Sequence, residues 1–151
     1  MSSFKAYNGD ISIYGAKNAR LMKTSSPQGY RGDKSAPKES WITVDFEKKL
    51  VITAIATQGY GDPTTDEWVT KFVLLYFSNG QNFKPLKDEH DDINIFIGNN
   101  DSSTVHRQNI PLPVIVSQII ILPKKWNNNV GLRMELYGCE PEDNYVISLM
   151  F

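Results

Sequence analysis

Apolar and polar residues alternate in short runs along most of this chain. In Trp41-Ile42-Thr43-Val44-Asp45-Phe46 the period is two, with β-branched and aromatic residues throughout, which predicts a strand. Residues 50–57 continue in the same style after the charged stretch Glu47-Lys48-Lys49, which reads as a turn. Residues 69–78 predict another strand, ending at Ser78-Asn79-Gly80-Gln81. Asn-Gly is a strong hairpin signal because both residues tolerate positive φ, so residues 82–86 should return antiparallel. Residues 93–97, 104–107, 116–122 and 131–139 complete the set. Helical periodicity is weak everywhere, and residues 15–23 suit one short turn at most. Many short strands punctuated by Gly, Pro and Asn predict an all-β sandwich or barrel of antiparallel sheets.

The irregular stretches at 7–16, 25–40, 59–67 and 124–130 are rich in Gly, Pro, Asn and Asp and hold most of the aromatics of exposed type. Loops on a stiff β scaffold are where binding surfaces usually sit. Tyr7, Tyr30, Tyr60 and Trp126 offer platforms for the apolar face of a sugar ring. Asn8, Asp10, Arg31, Asp33, Asp62, Thr64, Asp66, Asn127, Asn128 and Asn129 offer donors and acceptors. The same inventory suits a protein partner, since Tyr, Trp and Arg dominate protein hot spots. Trp41 and Trp68 open strands and read as packing residues, and Tyr14 as core. Trp126 leaves both readings open. Asp45 and Arg133 fall in strands and predict a structural ion pair or hydrogen-bond network. Asp62 and Asp66 read as solvated turn acids or as ligands to Ca²⁺ together with backbone carbonyls; no other cofactor is suggested.

Length and charge narrow the classes. A chain of 151 residues with 40% hydrophobic and 22% charged content suits one globular domain. Formal net charge is −1 with no basic run, which disfavours nucleic acid. No apolar run is long enough to span a bilayer as a helix, and no secretory signal opens the chain. Enzyme chemistry finds no support. Ser102, Ser103 and Thr104 stand near His106 without an orienting acid, the pairs Asp91-Asp92 and Glu142-Asp143 lie in evident turns, and Gly29 and Gly32 do not build a phosphate loop. His90 and His106 lack metal spacing. Arg31-Gly32-Asp33 is a tripeptide that integrins recognise, here in a loop expected to be exposed. Asn100-Asp101-Ser102 fits the glycosylation acceptor pattern.

Several ordered segments carry a resemblance. They are Ala19-Arg20-Leu21, Trp41 to Phe46, Thr53-Ala54-Ile55-Ala56-Thr57-Gln58-Gly59, Trp68-Val69-Thr70-Lys71-Phe72 and Tyr76-Phe77-Ser78-Asn79-Gly80-Gln81-Asn82-Phe83. Gly98-Asn99-Asn100-Asp101, Ile121-Leu122-Pro123, Trp126 and Leu132-Arg133-Met134-Glu135-Leu136-Tyr137-Gly138-Cys139 close the series. From about residue 19 to 139 the chain resembles the discoidin domain family, the C-type domains of coagulation factors V and VIII. The resemblance implies a distorted jellyroll barrel of two antiparallel sheets with ligand-binding loops at one end. It also implies an extracellular setting and a glycan, anionic phospholipid or protein ligand.

Two departures follow. The family has an early cysteine that bridges to the one at Cys139. Here Cys139 is the only cysteine, so residues 1–140 read as the domain without its first strand, and residues 141–151 as a tail. The missing staple would cost roughly 2–5 kcal/mol. Lipid-binding members carry large apolar residues at their loop tips, whereas residues 58–68 here offer Asp62, Asp66 and Glu67. Each Lys or Arg would gain about 1 kcal/mol at an anionic leaflet, and carboxylates are repelled. The expected function is a non-enzymatic adhesion module for glycan or a cell-surface protein. Integrin engagement and phosphatidylserine binding are the alternatives.

Overall fold

The computed structural model describes residues 1–4, 6–80, 82–141 and 147–149. The strands are β1 (Ser2–Phe4), β2 (Tyr30–Arg31), β3 (Trp41–Gln58), β4 (Trp68–Phe77), β5 (Lys84–Pro85), β6 (Phe96–Ile97), β7 (His106–Asn127), β8 (Gly131–Cys139) and β9 (Ile147–Leu149). Every pairing between these strands is antiparallel. The helical content is short: α1 (Ile11–Tyr14) and single 3₁₀ turns at Tyr7–Gly9, Ala16–Asn18 and Pro37–Glu39. No described helix is long and apolar enough to cross a membrane.

The register explains how two layers arise from one continuous hydrogen-bonded path. The first half of β3 (residues 42–45) pairs with the second half of β7 (residues 118–121), which pairs on its other side with β4. The second half of β3 pairs with residues 106–116 of β7 on one side and with β8 on the other. Both long strands therefore pass from one layer to the other, and the expected jellyroll of antiparallel sheets is what forms. The crossings coincide with register shifts. Residues 46–49 stand opposite the single residue between Val116 and Gln118, with Glu47 at φ +58°. The charged stretch Glu47-Lys48-Lys49, expected as a turn, is thus a bulge inside one strand, because the chain keeps its direction while it changes layer.

A second shift, between Ile52 and Ala54, leaves residues 110–113 of β7 without registered partners. Pro111 and Pro113 sit there, where a missing backbone N–H costs the ladder nothing. Expected strands 104–107 and 116–122 are in consequence parts of one. The Asn79-Gly80 hairpin does return antiparallel, pairing Leu75 with Pro85 and Tyr76 with Lys84. That register is wider than a two-residue turn, with Gly80 at φ +114°; Gln81 lies outside the described residues. Glu142, Asp143, Val146, Met150 and Phe151 also lie outside them, while β9 pairs with residues 136–138 of β8.

Between the layers sits one core of Ile42, Val44, Ile52, Ile55, Leu74, Ile119, Ile121, Leu132 and Leu136, with Phe72 and Phe96 stacked at 5.2 Å between centroids. Gly138 faces Ile52 in the β3–β8 ladder, where a Cβ would collide with the Val51 carbonyl. Gly138→Ala should lower stability by about 1–3 kcal/mol, as overpacking does. A denaturant melt with an unchanged m-value would show it.

Candidate functional site

One end of the barrel gathers the turns that follow β3, precede β4 and join β6 to β7, together with the strand-free stretch at 21–29. Arg133, on β8, ties them. Its Nε donates to Gly59 O (2.8 Å), one guanidinium nitrogen to Lys23 O (3.0 Å) and the other to Ser102 O (2.6 Å). The side chain is buried, 4% exposed, and burial lowers its pKa from the ordinary arginine value. Asp45, the expected partner, lies elsewhere. It accepts from Glu47 N (2.9 Å) and Gln118 Nε2 (2.7 Å). The network foreseen for Arg133 exists, but its acceptors are backbone carbonyls.

Side-chain amides brace the same end. Gln58 Nε2 donates to Ser103 O (2.6 Å) while its Oε1 accepts from Met22 N (2.8 Å). Asn99 Nδ2 donates to Thr57 O and Thr104 O. Asn129 Nδ2 donates to Gly32 O (2.8 Å). Asn127 and Asn128, expected as ligand groups, direct their amides to the carbonyls of Thr65 and Asp66. They hold the 60–67 loop, Asn127 half-buried and Asn128 exposed.

Arg31 forms a second cluster. Its Nε and one terminal nitrogen grip the buried Glu67 carboxylate at 2.6 and 2.7 Å. Its guanidinium carbon stands 3.7 Å from the Tyr7 ring centroid, 5.4 Å from Tyr60 and 5.9 Å from Tyr14. Tyr7 and Tyr14 meet edge to face at 5.2 Å. The hydrogen bonds that Arg31 donates to Glu67 raise its pKa, with burial opposing. This geometry corrects the reading of Arg31-Gly32-Asp33 as an exposed loop. Arg31 belongs to β2 and pairs with Gly131, Gly32 is buried, and the Asp33 Oδ1 accepts from the amide and hydroxyl of Ser35.

Two further expectations change. Tyr30 is fully buried at 0% exposure, so it is a core residue and no platform. Burial pushes its phenol up to about 12, with the Ser40 hydroxyl pulling the other way. Tyr60 is buried too, its ring turned against Arg31. Both aromatics lie inside because a tyrosine next to a buried backbone ladder gains more from covering the core than from standing in water. Trp126 is half-buried and packs on the core.

Toward solvent the end presents Tyr7 (half-buried), Asn8, Asp10, Asp62, Thr64 and Asp66. Asp10 Oδ1 receives Ser12 Oγ (2.5 Å) and Ile13 N (3.1 Å), and Asp62 Oδ1 receives the amide (2.9 Å) and hydroxyl (2.7 Å) of Thr64. These side-chain hydrogen bonds are the leading cause that lowers both carboxyl pKa values. Asp66 holds φ +49°. Among the described residues no three His, Cys, Asp or Glu side chains gather as a metal set.

Three concavities stand out elsewhere. Two adjoin at the opposite end and share Tyr76, Lys84 and Val114, at about 330 and 360 Å³. The third, about 450 Å³, flanks the looped end beside Asn99, Asn100, Thr104 and His106. The sequence does not single out Gln58 and offers Glu67 only as a loop carboxylate, while Asn129, expected as a ligand group, is a buried brace. A buried acid directly before a strand, with a basic residue in a distant loop, was the available signal for Glu67.

The model of the F5/8 type C domain matches residues 4–136. The chain belongs to this discoidin family. Among curated relatives, the domain is 32% identical over 136 residues to the non-catalytic subunit of the venom prothrombin activator pseutarin-C from Pseudonaja textilis. That match covers 89% of this chain and 9% of the relative. Discoidin II from Dictyostelium discoideum superimposes with a TM-score of 0.77 at 28% identity, covering 95% of this chain and 55% of that one. The family 32 carbohydrate-binding module of C. perfringens NanJ, in complex with galactose, shares the fold at a TM-score of 0.62 and 12% identity, covering 88% and 85%.

Two measurements follow from this geometry. Replacing Arg133 with Met orphans three loop carbonyls, each worth about 1–3 kcal/mol when buried. The discoidin domain should lose at least about 2 kcal/mol, and hydrogen exchange should quicken in residues 22–24, 58–60 and 101–104 together. For Tyr30 the folded pKa, about 12, lies above the ordinary 10.0. The unfolded chain therefore ionises first, and stability present below pH 10 declines as pH rises toward 12. Tyr30→Phe should flatten that alkaline loss in pH-dependent melts.

Proposed function

We propose that this domain is a non-enzymatic, extracellular binding module that holds a glycan, or a glycan-bearing cell-surface protein, on the face formed by Tyr7, Asn8, Asp10, Asp62, Thr64 and Asp66. The observation that carries the reading is the contrast between how the loops are held and what they show. Arg133, Gln58, Asn127 and Asn128 brace the stretches around Lys23, Gly59, Asp66 and Ser103 from beneath, so little ordering entropy remains to be lost there on binding. Their outer surface offers one tyrosine and several carboxylates. The hydrogen bonds described for Asp10 and Asp62 fall on Oδ1, which leaves Oδ2 to meet a ligand hydroxyl. Charge-assisted hydrogen bonds of that kind are roughly twice as strong as neutral ones.

A membrane reading has one observation in its favour. Ile13, in α1, and Met22 are 45% and 63% exposed. Asp10, Asp62 and Asp66 beside them oppose an anionic leaflet, so sedimentation with phosphatidylserine vesicles at low salt should be absent. The integrin reading loses its support with Arg31 held by Glu67. Asp33→Glu should accordingly leave cell attachment unchanged.

The test is a glycan array, with galactose-terminated sugars as the first probes, followed by titration of the hits against variants. Asp62→Ala and Tyr7→Ala should each weaken binding about tenfold or more, the scale of one or two lost hydrogen bonds, measured below the onset of each variant's own melting transition. Because the Asp62 pKa is depressed, binding should persist as pH falls to the ordinary carboxylate range and fade only below it. An array without hits, and attachment indifferent to both variants, rejects the proposal.

A further inference from the structure

Residues 93–97 run along the margin of the first layer, outside β4, and their burial alternates. Ile93, Ile95 and Ile97 are 53%, 57% and 54% exposed, while Asn94 is half-buried and Phe96 is buried on Phe72. Three isoleucines thus share one outward face. Isolated exposed apolar residues are ordinary, but a contiguous row of β-branched ones marks a surface that another surface covers.

Opposite charges bound the row. Before Ile93 comes the turn 88–92, shaped by Asp88 Oδ1 accepting from His90 N and Asp92 N. Asp91 is paired with Lys87, and Glu89 and Asp92 are exposed. At the other end Ile97 stands in register with Lys71, and Lys71 with Lys125. Both lysines are exposed, and their pair sits between two register shifts of the β4–β7 ladder. The acidic and the basic group each lie about 10 Å from Ile95, given the rise per residue and the strand spacing.

The geometry points to a second copy of this chain as the occupant, docked about a two-fold axis that lies in the interface and crosses the row at Ile95. This operation lays Ile93, Ile95 and Ile97 over their equivalents in reversed order. It sets Glu89 and Asp92 of each protomer against Lys71 and Lys125 of the other. A two-fold contact must be complementary to itself, and a row that is acidic at one end and basic at the other meets that requirement only when reversed. The row lies on the flank of the barrel, so both looped ends stay open. The reversal directs them away from each other. If those ends bind glycan as proposed above, the dimer bridges two surfaces and gains from avidity.

Sedimentation velocity over a concentration series tests the contact without any ligand. The wild-type chain should approach twice the monomer mass as concentration rises. Ile95→Asp, an exposed substitution that leaves the core intact, should sediment as a monomer throughout. The double variant Lys71→Glu/Lys125→Glu should dissociate at least tenfold more readily. Adding Glu89→Lys/Asp92→Lys to that same chain should restore the dimer, a rescue that general surface adhesion would not give. A wild-type chain that stays monomeric, an assembly of more than two copies, or a dimer that persists in Ile95→Asp each overturns the inference. The glycan reading stands or falls separately. Monomeric Ile95→Asp should keep wild-type affinity for a soluble monovalent sugar while losing attachment to a sugar-coated surface.

Discussion

The buried guanidinium of Arg133 governs the looped end of this domain. A charge taken out of water is costly unless every donor finds an acceptor, and here the acceptors are the carbonyls of Lys23, Gly59 and Ser102. Those residues belong to three stretches far apart in the chain, none of which has a ladder of its own to satisfy its backbone. The arginine needs the carbonyls and the carbonyls need the arginine, so neither the loops nor the side chain can relax alone. Aspartate or glutamate in their place would have neutralised the charge but left the loops untied.

The same economy recurs around it. Gln58, Asn99, Asn127, Asn128 and Asn129 spend their amide hydrogens on loop carbonyls, while Asp10, Asp33, Asp62 and Asp101 spend carboxylate oxygens on local amides and hydroxyls. Polar residues that look like a ligand inventory are divided by this demand into two groups. Amides near β7 and β8 face inward as braces. Carboxylates at the turns cap their own loops, Asp10, Asp33 and Asp62 through Oδ1 and Asp101 through both oxygens. A binding end built in this way is stiff before any ligand arrives.

Arg31 shows the consequence for recognition. Set in β2, held by both oxygens of Glu67 and covered by Tyr7, it is a wall of the looped end and adds no positive charge to its surface. Tyr7, Asp10, Asp62 and Asp66 remain to face solvent there, and beside the Ser12 hydroxyl the exposed Lys17 is close enough to Asp10 to lower its carboxyl pKa further.

Much of this was legible in the chain itself. The two-residue period of 41–46 and 69–77, the Asn-Gly turn and the lack of helical stripes define the strands and the all-β class, because side-chain alternation is a local property of extended backbone. Ordered segments from Ala19 to Cys139 define the family. The sequence also shows where the loops must lie, since Gly, Pro, Asn and Asp there reflect backbone needs that are local too. Tertiary structure alone decided which loop residues face out. Tyr30 and Tyr60 look like Tyr7 in sequence, yet two are buried and one is half-buried, because exposure depends on what packs above a residue from distant parts of the chain. It also decided that Arg133 serves carbonyls and Arg31 serves Glu67. A partner 31 or more residues away is a matter of how two layers close on each other, and no periodicity along the chain records that.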